Sequence, residues 1–332
     1  MKAIKILTMA ALATAVFASC SNDEDLAQSN YPMDNVVRIM TSVDGMNTRA
    51  SYGNSTDKLN SFGFCINNAG NTKYTYDNIK VTQENGKWNP ATQMFWQNST
   101  TAVDILAYAP YQETTEDATG KVKVFGKTDY AFSVKEDQSN AEDYSSDLIV
   151  YKKTGFKPGS ELNTSKAVDV TFTHLLSQLN LTIELGDQFN QDEEKPVTSA
   201  TVTDVKVDGT FIRSKVNFAA DPISVQIDGL ATKAITPETV AFTKADKTTD
   251  HATFKYSAIV IPQWIRAGVF CISFKVNGND YIWTSTSDVN FVSGKKHDLL
   301  LLVGKDVVQG GAISAKPWGE GTTGTTGSLE TD

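Results

Sequence analysis

Residues that could perform catalysis or bind a metal are few in this chain and widely spaced. The three histidines are His174, His251 and His297, and none has a second histidine or cysteine at ligand spacing. We therefore predict a structural role for each. Cys65 and Cys271 stand between apolar residues and are predicted to be small hydrophobic residues of strands.

Recognisable catalytic motifs are missing as well. The sequence has no nucleophile elbow, no glycine loop that would hold phosphate and no metalloprotease motif. Carboxylates are plentiful, so a catalytic pair assembled from distant strands is not excluded by spacing, although nothing selects one pair. We predict a protein that is not an enzyme and that uses no cofactor and no metal.

The third cysteine, Cys20, follows a segment with the pattern of a secretory signal. Residues 1–19 carry two lysines and then a mostly apolar stretch, which is too short for a bilayer span of about 20 residues. Ala18 and Ser19 before Cys20 resemble the lipobox of bacterial lipoproteins, although Phe17 replaces the usual aliphatic residue. We predict cleavage before Cys20 and lipidation of its thiol. The alternative is an ordinary signal peptide followed by an incidental cysteine.

The net charge of the chain argues against one class of partner, the nucleic acids. Lysine and arginine number 30 against 39 acidic residues, a formal net charge of -9. Nucleic-acid binders usually carry a basic stripe, so we expect no nucleic-acid partner. The acidic cluster at 21–25 resembles the tag that exports some lipoproteins to the outer face of the outer membrane, and a solvated tether is the alternative. The expected location is the cell surface.

Beyond residue 30, apolar and polar residues alternate with the period of β-strands. The alternation is clear at residues 37–43, 62–66 and 179–185, and continuous apolar runs at 103–108, 257–261 and 299–303 indicate strands buried on both faces. Turn signals such as Asn85-Gly86 and Asn277-Gly278 separate these segments. We find no convincing helix of three turns in the mature chain. The predicted class is all-β, with sandwich architecture.

The domain organisation follows from the changes in composition. Residues 151–166 are polar and rich in helix and strand breakers, which places a domain boundary there. We predict an N-terminal β-sandwich domain at 50–165, a C-terminal one at 166–318, and a flexible tail at 319–332 that has almost no apolar residue.

Several segments, in this order, together resemble one family. They are the lipobox at Cys20, TRA at 48–50, FW at 95–96, VDILAYAP at 103–110, SDLIV at 146–150, VTFTHLLSQL at 170–179, VIPQ at 260–263 and FVSGK at 291–295. The chain resembles the fimbrillin or Mfa-like proteins, which are subunits of the type V pili of anaerobic Gram-negative bacteria. The resemblance implies two tandem transthyretin-like Greek-key β-sandwich domains and a structural subunit that contributes to adhesion.

The resemblance also implies how such a subunit assembles. In the family, an N-terminal strand fills a groove until an arginine-directed protease removes it, and a strand of another subunit then takes its place. The matching removable strand here has the alternating residues Val37, Ile39, Thr41 and Val43. Arg38, Arg213 and Arg266 lie in or beside strand patterns, which leaves Arg49 as the arginine in a loop. We predict cleavage between Arg49 and Ala50, which would detach residues 20–49 with the lipid. The alternative is that Arg49 is a surface charge.

The C-terminal segment has two possible roles. Val307, Val308, Ala312, Ile313 and Ala315 could form a donor strand for another pilin subunit, or they could form the last strand of the second domain. The sequence leaves this open, together with the choice between a stalk and a tip or accessory subunit.

The rival function is a surface lipoprotein that binds glycan and does not polymerise. Exposed tryptophans would supply the sugar-stacking surface, and the candidates are Trp88, Trp96, Trp264, Trp283 and Trp318. Tryptophan on a strand is more often part of the core.

Overall fold

The computed structural model describes residues 30–43, 58–113, 123–190, 194–229, 231–245 and 251–318. The strands are β1 (Ile39–Val43), β2 (Ser61–Asn67), β3 (Tyr76–Glu84), β4 (Lys87–Pro90), β5 (Val103–Ala109), β6 (Tyr130–Ser133), β7 (Ile149–Phe156), β8 (Val168–His174), β9 (Ser177–Leu185), β10 (Val202–Asp208), β11 (Arg213–Asn217), β12 (Ser224–Ile227), β13 (Glu238–Thr243), β14 (Ala252–Val260), β15 (Gln263–Ile265), β16 (Cys271–Val276), β17 (Asn279–Thr284), β18 (Val289–Phe291), β19 (Lys295–Val303), β20 (Val308–Gly310) and β21 (Ser314–Pro317). Helical structure in these ranges is limited to α1 (Pro158–Glu161), α2 (Asp187–Asn190) and a 3-10 turn at Thr72–Tyr74. The all-β prediction is confirmed.

A seven-stranded sheet dominates the first half of the chain. Its strand order is β1-β8-β7-β5-β2-β3-β4, so β1 and β4 are its two edges. β1 runs parallel to β8, whereas the other neighbours are antiparallel. The first strand of the described chain is therefore an edge strand that pairs with a partner far along the sequence.

The second half is built on a six-stranded sheet of order β13-β14-β9-β19-β20, with β21 also paired to β19. Two three-stranded sheets, β10-β16-β17 and β12-β11-β6, and the pair β15-β18 accompany it. The predicted boundary at residues 165–166 does not separate the sheets, because β8 follows it yet lies in the seven-stranded sheet. β6 precedes it and pairs with β11. The division into two domains stays a prediction.

The middle of the seven-stranded sheet is buried on both faces. In β5, Ile105 and Ala107 belong to one apolar cluster while Leu106 and Tyr108 belong to the other. The second cluster continues into the six-stranded sheet, where the alternate residues of β9 are buried. This explains why residues 103–108 are apolar without alternation, since each face of the strand packs against a core.

Two hairpins have the turns that their sequences predicted. Asn85 and Gly86 join β3 to β4 with φ of 53° and 74°, and Asn277 and Gly278 join β16 to β17 with φ of 52° and 86°. Positive φ at both turn positions suits asparagine and glycine and matches the twist of the strands.

The segment that leads into β1 is fixed by its own contacts. Val37 N donates to Met94 O at 3.0 Å, and Trp96 N donates to Asn35 O at 2.8 Å. The Arg38 guanidinium donates to the two carboxylate oxygens of Asp34 at 3.1 and 2.6 Å. These hydrogen bonds from Arg38, with one from the Val36 backbone N–H, lower the pKa of Asp34 from its ordinary 3.8 to about 2.

Gly63 offers a test of core packing. A Cβ on Gly63 would lie 2.3 Å from Cε1 of Tyr108, a fully buried ring whose hydroxyl bonds Asn78 at 2.5 Å. Because this ring is surrounded, Gly63→Ala is expected to destabilise the fold by about 1–3 kcal/mol, measured by urea unfolding. Gly70→Ala is the control, since Gly70 has ordinary φ and its nearest neighbour atom would be 3.8 Å away. Equal unfolding midpoints for the two variants would contradict this packing.

The Asp34–Arg38 pair gives a pH prediction. A depressed folded-state pKa means that the pair contributes stability above pH 3.8 and loses it as the pH falls through about 2. In a carboxyl NMR titration, Asp34 is expected to titrate near 2 in the native chain and closer to 3.8 in Arg38→Gln. Arg213→Gln, which removes an arginine paired elsewhere with Asp228, should leave Asp34 unchanged. Titration of Asp34 near 3.8 in the unsubstituted chain would refute the pairing.

Candidate interaction site at the two ends of the chain

β1 and the residues that lead into it supply one row of apolar side chains to the first core. Val37, Ile39 and Val43 are 3%, 8% and 5% exposed, while Met40, on the opposite face, is 47% exposed. Full burial of an aliphatic side chain contributes about 1.5–3 kcal/mol, so this row holds the strand in place. Thr41, the fourth predicted residue, lies partly buried in the same row. Its Oγ1 has no hydrogen-bond partner among the described residues.

β8 depends on β1 for most of its backbone pairing. Residues 168–172 of β8 are in register with residues 39–43 of β1, and Val168 N donates to Arg38 O at 2.8 Å. β7 pairs only with Thr173 and His174. Among the described strands, β1 is thus the sole ladder partner of residues 168–172. Without β1, this stretch would be an open strand edge above the apolar side chains of Val170 and Phe172.

The structure distinguishes the arginines only in part. Arg38 is held by Asp34, and Arg213 lies in β11. Arg266 is exposed and directly follows β15, at the start of a turn, so like Arg38 it is an exposed arginine outside a strand. The backbone of that turn is hydrogen-bonded, with Gly268 N donating to Ser285 O at 2.8 Å. Cys20, Arg49 and Ala50 lie outside the described residues.

The C-terminal segment is docked on its own chain. β20 pairs with residues 301–303 of β19 and β21 pairs with residues 295–298, both antiparallel. Of the possible donor residues, Val307, Val308 and Ile313 are half-buried, and Ala312 and Ala315 are exposed. The segment therefore occupies a sheet edge with shallow apolar contact. The role of a last strand is what the structure displays, and the donor role stays a prediction.

Side chains and close backbone contacts fix this segment at three points. A Cβ on Gly310 would lie 2.3 Å from Nε1 of Trp283, so β20 lies directly against that indole. Lys316 Nζ lies 3.1 Å from a carboxylate oxygen of Asp298. Trp318, which follows β21, stacks on the ring of His174 with centroids 3.9 Å apart and planes 7° apart.

His174 joins the end of β8 to these contacts. Its side chain is 1% exposed, and its Nδ1 lies 3.0 Å from Oδ1 of the fully buried Asp147. The sequence assigned His174 a structural role but did not connect it with Asp147 or Trp318. Asp147 and His174 do lie in two of the segments that carry the family resemblance, 146–150 and 170–179, and this was the available signal.

The other predicted structural residues behave as expected. His297 is buried, its pKa is lowered by that burial, and its Nε2 accepts a hydrogen bond from Val292 N, as a neutral ring does. His251 Nδ1 and Nε2 lie 2.5 and 3.2 Å from carboxylate oxygens of Glu184 and Asp187. Cys65 is buried and Cys271 half-buried, and both are free thiols. Within the described ranges, no three histidine, cysteine or carboxylate side chains converge as metal ligands would.

The tryptophans do not form a sugar-stacking platform. Trp96 and Trp318 are buried, Trp88 and Trp283 are half-buried, and Trp264 is 57% exposed. A platform needs several open ring faces, and one exposed indole does not supply them. Of the five candidate tryptophans only Trp264 is exposed, and the glycan-binding alternative stays a prediction.

No described helix has the length and apolar character needed to span a membrane.

A comparison with curated protein sequences finds no significant match. Among solved structures, a candidate cell adhesion protein from Bacteroides ovatus has a TM-score of 0.61 at 13% identity, covering 86% of this chain and 99% of that one. A candidate cell adhesion protein from Bacteroides uniformis has a TM-score of 0.56 at 21% identity, with the same coverage. A fimbrial protein from Bacteroides vulgatus has a TM-score of 0.52 at 15% identity, covering 85% and 99%.

At these identities the solved structures establish a shared fold. The sequence model of the fimbrillin-like family matches residues 48–318, which includes nearly every described strand. The resemblance inferred from the sequence segments is thereby confirmed. With a match over most of its length, the chain belongs to the fimbrillin-like family.

Proposed function

We propose that this protein is a fimbrial structural subunit, exported as an outer-membrane lipoprotein, cleaved after Arg49 and polymerised by strand exchange. Family membership supports a fimbrial subunit role at the cell surface, in association with other fimbrial subunits. It favours a structural role over a catalytic one. The lipid anchor, the cleavage and the exchange of strands are the parts that we add.

The observation that carries the proposal is the position of β1. It is an edge strand, its alternate side chains are buried, and residues 168–172 of β8 have it as their ladder partner. Removing it would leave unpaired backbone groups beside an apolar groove. Such an edge binds an incoming strand, with main-chain hydrogen bonds supplying affinity and side-chain pockets supplying register.

Arg49 is well placed in the chain for such a cut. It follows β1 by six residues, so cleavage there would separate β1 and Cys20 from the rest of the subunit. The lipid on Cys20 would hold the precursor at the outer membrane until this step. Two tandem transthyretin-like sandwiches belong to the same proposal.

The C-terminal segment supplies the incoming strand in this proposal. It pairs along one side with β19, and its apolar residues before Trp318 are half-buried or exposed. Undocking it therefore costs less apolar burial than removing a strand of the core. Ile313 and Ala315 alternate as a groove-filling strand requires.

The cleavage step is tested on the folded precursor with an arginine-specific protease. We expect one new amino terminus, at Ala50, because Arg38 is paired with Asp34, Arg213 lies in β11 and Arg266 begins a hydrogen-bonded turn. N-terminal sequencing and intact mass identify the cut. Arg49→Gln should block it, and the matched Arg266→Gln should not. Cleavage at Arg266 instead, or none at all, would refute this step.

The exchange step is tested on the cleaved form. A peptide of residues 307–318 is expected to slow growth of the polymer ladder on gels, because it competes for the groove left by β1. The same peptide with Ile313→Asp should fail, since a carboxylate would enter an apolar site. Equal inhibition by the two peptides, or inhibition by neither, would argue against this segment as the donor.

A further inference from the structure

The end of β8 lies where both terminal segments of the described chain meet. Along residues 168–172 it is paired with β1, and at Thr173 and His174 it is paired with β7. The β7 ladder covers only these two residues. If β1 leaves, the five-residue stretch that ends two residues before His174 loses its strand partner, and the remaining ladder is short enough to fray.

His174 is the surface on which Trp318 rests. The stacked rings, with centroids 3.9 Å apart, place the last described side chain of the protein on the seven-stranded sheet. β21, immediately before it, belongs to the six-stranded sheet through β19. The C-terminal segment therefore spans from one sheet to the other, and its outer end depends on the position of β8.

Each of the two docked segments, β1 and the C-terminal segment, buries a polar atom that lacks a hydrogen-bond partner. Nε1 of Trp318 and Oγ1 of Thr41 are buried without a hydrogen-bond partner in the described part of the chain. Each group would regain hydrogen bonds with water on release, which makes the docked state of its segment less favourable. The two segments that must move in strand exchange are both held by contacts that leave a buried polar group unpaired.

We infer that Trp318 is a latch that couples the two ends of the chain. Its stack on His174 holds the C-terminal segment down while β1 keeps β8 in place. Loss of β1 loosens β8 and His174. The stack of Trp318 on His174 then weakens, and β21 is freed from β19. This inference rests on the proposed function, and it adds that opening the groove also releases the strand to be donated. The uncut precursor then keeps the groove filled by β1 and the C-terminal segment docked on β19.

The coupling is tested by hydrogen–deuterium exchange on the full-length chain, without protease. In this parallel register the N–H of Met40 faces β8, so Met40→Pro removes a ladder donor and disrupts β1, because proline is poorly tolerated in a paired strand. We expect it to speed exchange of the amides at 314–316 by about tenfold or more, while β9 keeps its protection. The matched control is Asn89→Pro in β4, the opposite edge of the same sheet, which should leave 314–316 unchanged.

Substitutions of Trp318 distinguish a coupling through its stack on His174 from a general loosening of the fold. In Trp318→Ala, residues 314–316 should exchange fast at the start, and adding Met40→Pro should change them little. In Trp318→Phe, which keeps an aromatic ring on His174, the response to Met40→Pro should persist. If Met40→Pro also removes the protection of β9, the milder Met40→Gly is used for the same reading.

Two outcomes would overturn the inference. One is free exchange across residues 39–43 with unchanged exchange at 314–316. The other is an equal acceleration at 314–316 by Asn89→Pro. Because neither cleavage nor polymerisation enters the measurement, a failed coupling leaves the cleavage and peptide tests intact, and a failure of those tests leaves the coupling measurable.

Discussion

The parallel ladder between β1 and β8 is the contact on which the edge of the first sheet depends. Parallel neighbours need a long connection between them, and here it runs from the first described strand to one that follows β7. Such a partner can leave without unravelling the strands that lie between it and β8 in sequence. The core keeps the pairings of β2, β3, β5 and β7 whatever happens at this edge.

The centre of the molecule is built for rigidity where its edges are not. β5 is buried on both faces, and Lys152 on β7 donates to the carbonyls of Phe218, Ala219 and Ala220 at 3.0, 3.1 and 2.7 Å. An ammonium group has three protons, so this one is fully satisfied. It ties the seven-stranded sheet to the segment after β11. Buried polar atoms without a partner among the described residues occur at Thr41 and Trp318, and also at Trp96, Thr210 and His297.

Sequence periodicity predicted strands well because it reports which faces are buried. The alternation at 37–43 and 179–185 and the run at 103–108 are each found as strands with the expected burial. Periodicity carries no information on the partner of a strand, so β8 was grouped with the second half although it pairs with β7. The stack of Trp318 on His174 joins residues distant in sequence, and a single tryptophan after a polar strand gives no sign of it.

The pairing of β9 with β19 has a mechanical consequence. The strands are parallel and in register over eight pairs, from Gln178 and Lys296 to Leu185 and Val303. Tension that enters the chain before β9 and leaves it after β19 pulls the two strands in opposite directions along their length. All the hydrogen bonds of the ladder then carry load together, whereas a hairpin pulled at its open end yields one bond at a time. A subunit with this arrangement resists traction along its own chain.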